Sequence, residues 1–284
     1  MKKAIISVLT LIFCMPIFNE LDAQNVLDGP YIKEHTLTRR VVPYPHLREA
    51  DVMWSKRIWQ VIDLKEKINH PLYYPLEEIN NRKSLFLVIK EALLTDGSIT
   101  AYSTGALGND DEFREPMLPS EVENILSTVD TSYTEDLETG ELVQVIQNID
   151  IETQDVVQYK LKEDWFFDKQ RSERYVRIIG LAPMRAVYGE DGEFRSYQDM
   201  FWLYFPECRY VFANYDVFNR QNDAERRSFD DIFWKRQFNS YIVKESNVYG
   251  DRAIIEYTTG IDALLEAERI KEELFILEHD LWSY

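Results

Sequence analysis

Apolar residues along this chain follow two periods, a helical one toward both ends and an alternation of two in the middle. Between Leu47 and Ile62, the residues Trp54, Ile58, Val61 and Ile62 fall at i, i+4, i+7 and i+8, and this spacing predicts a helix. A second helix is predicted from Ser84 to Leu94. Leu85, Val88, Ile89, Ala92 and Leu93 share one face there, and Ser84 can cap the start. Asp96-Gly97 ends that helix, and Ser98 to Thr104 reads as a strand. Gly105 to Pro119 is polar and loop-like, with a short helix expected from Ser120.

The middle of the chain reads as β. Val157, Tyr159 and Leu161 alternate with Gln158, Lys160 and Lys162, which predicts a strand with one wet face. Glu138-Thr139-Gly140 and Asp191-Gly192 are turn signals. Tyr175 to Leu181 and Met200 to Phe205 are apolar on both sides, as interior strands are. No helical pattern separates these strands, so antiparallel order is expected. Helical spacing then returns. Ser228-x-x-Asp231 forms a capping box ahead of Ile232 and Phe233. From Gly260 to Glu278, Leu264, Ile270, Leu274 and Leu277 make one stripe, and Glu266, Glu268, Glu272 and Glu273 lie off it. The fold class expected is α+β: an antiparallel sheet in the middle of the chain, flanked by N- and C-terminal helices. A faint echo, Asp51-x4-Lys56-Arg57-x-Trp59 against Asp230-x4-Lys235-Arg236-x-Phe238, reads either as a duplicated helical unit or as chance.

The first residues change the picture of where the protein works. Lys2 and Lys3 precede a short apolar run, Ala4 to Phe18, and Leu21-Asp22-Ala23-Gln24 ends in small and polar residues. That order predicts a signal peptide over residues 1–24, in a run too short to span a membrane. Cys14 raises a lipid-attachment alternative, which Phe13 before it disfavours. Residues 25–46, with Pro30, Pro43 and Pro45, read as an extended Pro-rich arm that either reaches a neighbouring subunit or simply connects. Residues 47–284 are expected to form a single α+β domain.

The formal charge is −18, and removal of residues 1–24 leaves it unchanged, because two Lys leave with one Glu and one Asp. This acidity argues against nucleic acid and against lying on an anionic membrane. It serves solubility or a basic protein partner. Without Cys14, Cys208 is the sole cysteine, so no intramolecular disulfide can form.

Catalytic signatures are missing. The four histidines form no H-E-x-x-H pair, and no G-x-S-x-G, G-x-x-x-x-G-K-[ST] or G-x-G-x-x-G occurs. No catalytic residue, cofactor or metal ligand is therefore assigned. Asn109-Asp110-Asp111-Glu112 lacks the order of a calcium loop and reads as a solvated acidic loop. In Lys162 to Arg171, charged residues surround Trp165, Phe166 and Phe167. Asp164 and Asp168 could there serve acid/base chemistry, which keeps a periplasmic glycan hydrolase with a dispersed carboxylate site as the alternative. Aromatics ringed by charge also suit a protein interface. The candidate contact residues are Trp54, Lys56, Arg57, Trp59, Trp165, Phe166, Phe167 and Arg171, each of which could equally be packing in the core.

Several segments are long and odd in composition: Arg39 to Pro45, Trp54 to Leu64, Lys162 to Arg171, Val176 to Pro183, and Trp202 to Glu207. Together they resemble the GldN/PorN family of Bacteroidetes, from about residue 30 to about residue 245. The resemblance implies a non-enzymatic periplasmic component of the type IX secretion system and gliding machinery. It implies partners as well: an outer-membrane lipoprotein (GldK/PorK), the periplasm-spanning motor subunit (GldM/PorM), and further copies of the chain in a ring.

Overall fold

The computed structural model describes residues 39–280, apart from 80–81, 106–107, 109, 136–141, 190 and 223, and for 128–149 the backbone alone. The expected signal peptide, residues 25–38 of the arm and the Glu138-Thr139-Gly140 turn lie outside the described residues.

The chain is a mixed α+β structure built on an antiparallel seven-stranded sheet. Its strands are β1 (Val52–Asp63), β2 (Ala101–Tyr102), β5 (Val156–Asp168), β6 (Glu173–Tyr188), β7 (Phe194–Asp199), β8 (Trp202–Tyr204) and β9 (Tyr241–Glu245). The order is β2-β8-β6-β5-β1-β9, and β7 pairs with β6 beside β8. A separate hairpin joins β3 (Ser127–Glu135) to β4 (Leu142–Asp150). The helices are α1 (His70–Tyr73), α2 (Leu85–Leu94), α3 (Pro119–Leu126), α4 (Phe205–Phe212), α5 (Phe229–Trp234), α6 (Ile254–Tyr257) and α7 (Ile261–Asp280).

Local signals hold where they are strongest. Ser84 Oγ accepts from Leu87 N–H at 3.3 Å and caps α2, whose expected apolar face is buried. Ser228 and Asp231 close the capping box at the start of α5, each taking the other's backbone N–H at 3.1 Å. Asp191 and Gly192 form the turn between β6 and β7, where Gly192 has φ +74°. The strand expected over Ser98 to Thr104 shrinks to β2.

The helix expected over Leu47 to Ile62 is instead β1, preceded by one 3-10 turn. Ile58 to Ile62 are all buried because this half of β1 lies between β5 and β9 with both faces covered, whereas Val52 to Arg57 alternates half-buried with exposed. Such a strand loses its alternation, so the helical spacing of its apolar residues is an accident. Its Val, Ile and Trp content is that of a strand. The echo of this segment at Asp230 to Phe238 is α5 and the turn after it, so the two stretches are not copies of one unit.

β5 departs from expectation in the same way. Lys162, placed on a wet face by the pattern, is 3% exposed, and Gln158 and Glu163 are buried too. The main core lies between the sheet and α2, α4 and α5. A second core joins Ile58, Trp165 and Ile242 to Ala267, Ile270 and Leu274 of α7. A third, small one packs Trp59, Ala182 and Trp202 with Phe113. Phe113 comes from Gly105 to Pro119, the stretch expected to be polar and loop-like. A Cβ on Gly180 would stand 2.6 Å from its ring, so this close approach requires glycine.

Candidate interaction surfaces

The two motifs singled out in the sequence meet across one ladder. Trp54 pairs with Phe167, Lys56 with Trp165, and Arg57 with Asp164. Trp59, Trp165, Phe166 and Phe167 are buried within the chain's own core. Trp54 and Lys56 are half-buried, and Arg57 and Arg171 are exposed. Their charges are mostly committed: Lys56 to Glu245 at 2.6 Å, Arg57 to both oxygens of Asp164, and Arg171 to Asp168 at 2.6 Å.

The same bonds occupy the two carboxylates of the hydrolase alternative. Burial alone would raise the Asp168 carboxyl, but Arg171 and the backbone N–H groups of Gln170 and Arg171 hold it below the usual range. A general acid needs the opposite shift. Asp111, from the acidic cluster, is engaged as well. It accepts from Trp59 Nε1 at 2.6 Å and from Lys162 Nζ at 3.0 Å. Among the described residues, no group of three or more His, Cys, Asp or Glu side chains could together hold a metal ion.

Two surfaces escaped the sequence reading. The first is the outer side of α7. Its inner side, with Ala267, Ile270 and Leu274, is buried. Leu264, expected on that stripe, is 59% exposed, with Ile261 at 76% and Phe275 at 66%. Leu265 and Ile276 are exposed beside them. At 100° per residue these five share the outer side with Glu268 and Glu272. This 20-residue helix therefore carries apolar residues on both sides. The stripe that faces inward carries the expected Ile270 and Leu274, and the second, exposed stripe was equally readable in the spacing.

The second is a cleft of about 360 Å³ where the described part of the Pro-rich arm meets β6, α4 and α5. Arg174, Arg177, Arg209 and Arg236 line it. Arg209 holds Asp230 through two bonds, of 2.7 and 3.2 Å, and donates to Val42 O. Arg236 holds Glu163 at 2.7 and 3.2 Å. Arg174 pairs with Glu278 at 2.7 Å. Burial lowers the pKa of Arg174, against the pull of Glu278 and with help from the like charge of Arg236. Among the described residues, Arg177 makes one hydrogen bond, to Pro45 O at 2.6 Å. Tyr44 stacks on Trp234 and lies beneath both Arg209 and Arg177. Burial, opposed by the charge of Arg209, pushes its phenol above the ordinary value. These residues are scattered from position 44 to 278, and no local motif signals them.

Among the described residues, no helix is long and apolar enough to cross a membrane. A family model described as "Gliding motility associated protein GldN" matches residues 47–283. Comparison with curated proteins gives no match.

Proposed function

The chain belongs to the GldN family of gliding motility associated proteins, and we propose that it is a non-enzymatic structural subunit of that machinery, bound beneath the outer membrane to a lipoprotein partner (GldK/PorK) in a ring. Family membership implies a component of the gliding and type IX secretion machinery, which is not a known enzyme family. The finer reading takes residues 1–24 as an export signal, 25–46 as an arm and 47–284 as one domain. It places the chain in the periplasm, with the motor subunit (GldM/PorM) as a further partner.

The observation that carries this reading is the outer side of α7. Large apolar residues gathered on one exposed helix face mark a contact surface. Its occupant is a basic amphipathic segment of the lipoprotein. Glu268 and Glu272 sit among the apolar residues, Glu272 makes no ion pair among the described residues, and the whole chain carries −18. A second copy of α7 in the same seam would bring like charges together in an apolar contact. Trp54, Lys56, Arg57 and Arg171 remain candidates for secondary contacts, with Trp59, Trp165, Phe166 and Phe167 as the packed layer behind them. The hydrolase alternative draws no support from Asp164 and Asp168, which are tied to Arg57 and Arg171.

The test is co-elution of the purified chain with its lipoprotein partner on size exclusion. Leu264→Asp with Phe275→Asp should abolish the high-mass complex and leave the melting temperature within a few degrees, since both side chains are exposed. Glu268→Lys with Glu272→Lys should weaken it. An undiminished complex in both variants would remove α7 from the assembly surface.

A further inference from the structure

The arginine cleft has the makings of a receptor. Three of its four guanidinium groups face carboxylates: Arg209 with Asp230, Arg236 with Glu163, and Arg174 with Glu278. Arg177 makes no ion pair among the described residues, since Asp164, its neighbour across the ladder, is held by Arg57, and only its bond to the neutral Pro45 carbonyl is spent. The cleft thus keeps one surplus positive charge in a chain of net −18. That surplus is also held in place. The Arg177 guanidinium carbon lies 5.2 Å from the Tyr44 ring centroid and 5.1 Å from that of Phe166, and these two rings hold the group in place.

A second observation concerns the wall. Arg174 to Ile178 line the cleft as consecutive residues, which means that β6 is met along its edge rather than on a face. β6 pairs with β8 only at Gly180 and Leu181 and with β7 only from Met184 onward. On the side away from β5, its backbone from Glu173 to Ile179 pairs with no strand among the described residues. An open edge offers backbone donors and acceptors to an extended peptide. Val176, Tyr44 and Trp234 supply apolar surface beside it.

We propose that this cleft binds the free C-terminus of an extended polypeptide. Its carboxylate lies in the fork of Arg177, its last side chain rests against Tyr44 and Trp234, and its backbone pairs with the open edge of β6. A single surplus charge matches a monoanion, whereas a phosphate dianion would leave excess negative charge beside Asp230 and Glu278. A planar carboxylate also repeats the geometry by which Arg209 and Arg236 already hold theirs. This site does not depend on the assembly role of α7.

The test is calorimetry on the purified full chain near pH 7 at low salt. The probes are an acetylated tetrapeptide ending in phenylalanine as the free acid, the same peptide as its amide, N-acetylphenylalanine, and inorganic phosphate. The acid should bind saturably and the amide about ten- to a hundred-fold more weakly, the range of a lost charge-assisted hydrogen bond. Arg177→Gln should abolish the difference, and Arg185→Gln, farther along β6 and outside the cleft, should keep it. The comparison of acid with amide on the unaltered chain stands even if Arg177→Gln fails to fold. Equal binding of acid and amide would overturn the proposal, as would N-acetylphenylalanine binding as tightly as the tetrapeptide, or phosphate binding more tightly than either.

Discussion

Two places in this molecule bring cations, aromatic rings and carboxylates together, and they have opposite characters. Behind β5, Lys162 Nζ lies between the rings of Trp59 and Phe113, and Asp111 answers it with both a carbonyl and a carboxylate. Lys244 adds its charge over Trp59, and Asp111 also takes the indole N–H of that residue. In that cluster Lys162 is buried, and its ammonium and the Trp59 indole N–H both find their acceptors on Asp111. In the arginine cleft, among the described residues, the same ingredients leave one cation without an ion pair and one sheet edge without a strand. Residue types do not separate a structural plug from a receptor. Whether the charges and hydrogen bonds close, and whether the space is filled, does.

The plug is the place to break hardest. Asp111→Ala strands the Lys162 ammonium, 3% exposed, without its anion, which costs about 3–5 kcal/mol for a broken buried pair. Chemical denaturation should show that loss, and adding Lys162→Met should restore most of it, because a pair replaced by apolar groups is near neutral. Full stability in the single variant would mean that the loop carrying Asp111 is not seated against β5. Gly180→Ala should act on the same plug more mildly. The new Cβ would stand 2.6 Å from the Phe113 ring, and overpacking of this type costs about 1–3 kcal/mol. Phe113→Ala in the same chain should relieve part of that strain, and thermal melts of the two single variants and the double would show whether the two sites couple.

The smallest effect belongs to Asp168, a buried carboxylate whose cation sits at the surface. Its folded pKa is below the ordinary 3.8, against the upward push of burial, through Arg171 and the backbone N–H groups of Gln170 and Arg171. A depressed carboxyl stabilises the fold above its unfolded pKa and loses that contribution as pH falls through the folded value. Melting temperatures of the parent and Asp168→Asn should differ at pH 6, and the gap should close below pH 3.8. A gap independent of pH would assign the effect to packing.

Much of the scaffold was legible along the chain. Ser84 and Ser228 mark helix starts, Asp191-Gly192 marks a turn, and the apolar runs of β6 and β8 mark strands, although β6 is flanked on both sides only from Gly180 onward. β1 was not legible, because its half from Ile58 to Ile62 is covered on both faces and carries no alternation to read. Of the candidate contact residues, the ladder brings Trp54, Lys56 and Arg57 against Phe167, Trp165 and Asp164, but it buries the aromatics of β5. The outer side of α7 was present as a second apolar stripe with no means of ranking it.

By itself the sequence determined what acts over a few residues: caps, turns, the helical period of α2 and α7, the net charge, and the phrases that carry the family. Tertiary structure alone decided that a second apolar stripe of α7 stays exposed, that an acidic loop packs against the sheet, and that Arg177 makes no ion pair among the described residues. Those outcomes depend on partners far apart in the chain, 51 residues for Lys162 and Asp111, 73 for Arg236 and Glu163, and 132 for Arg177 and Pro45. Propensity and capping fall off within a turn of the backbone, whereas desolvation and charge pairing depend only on what folding brings into contact.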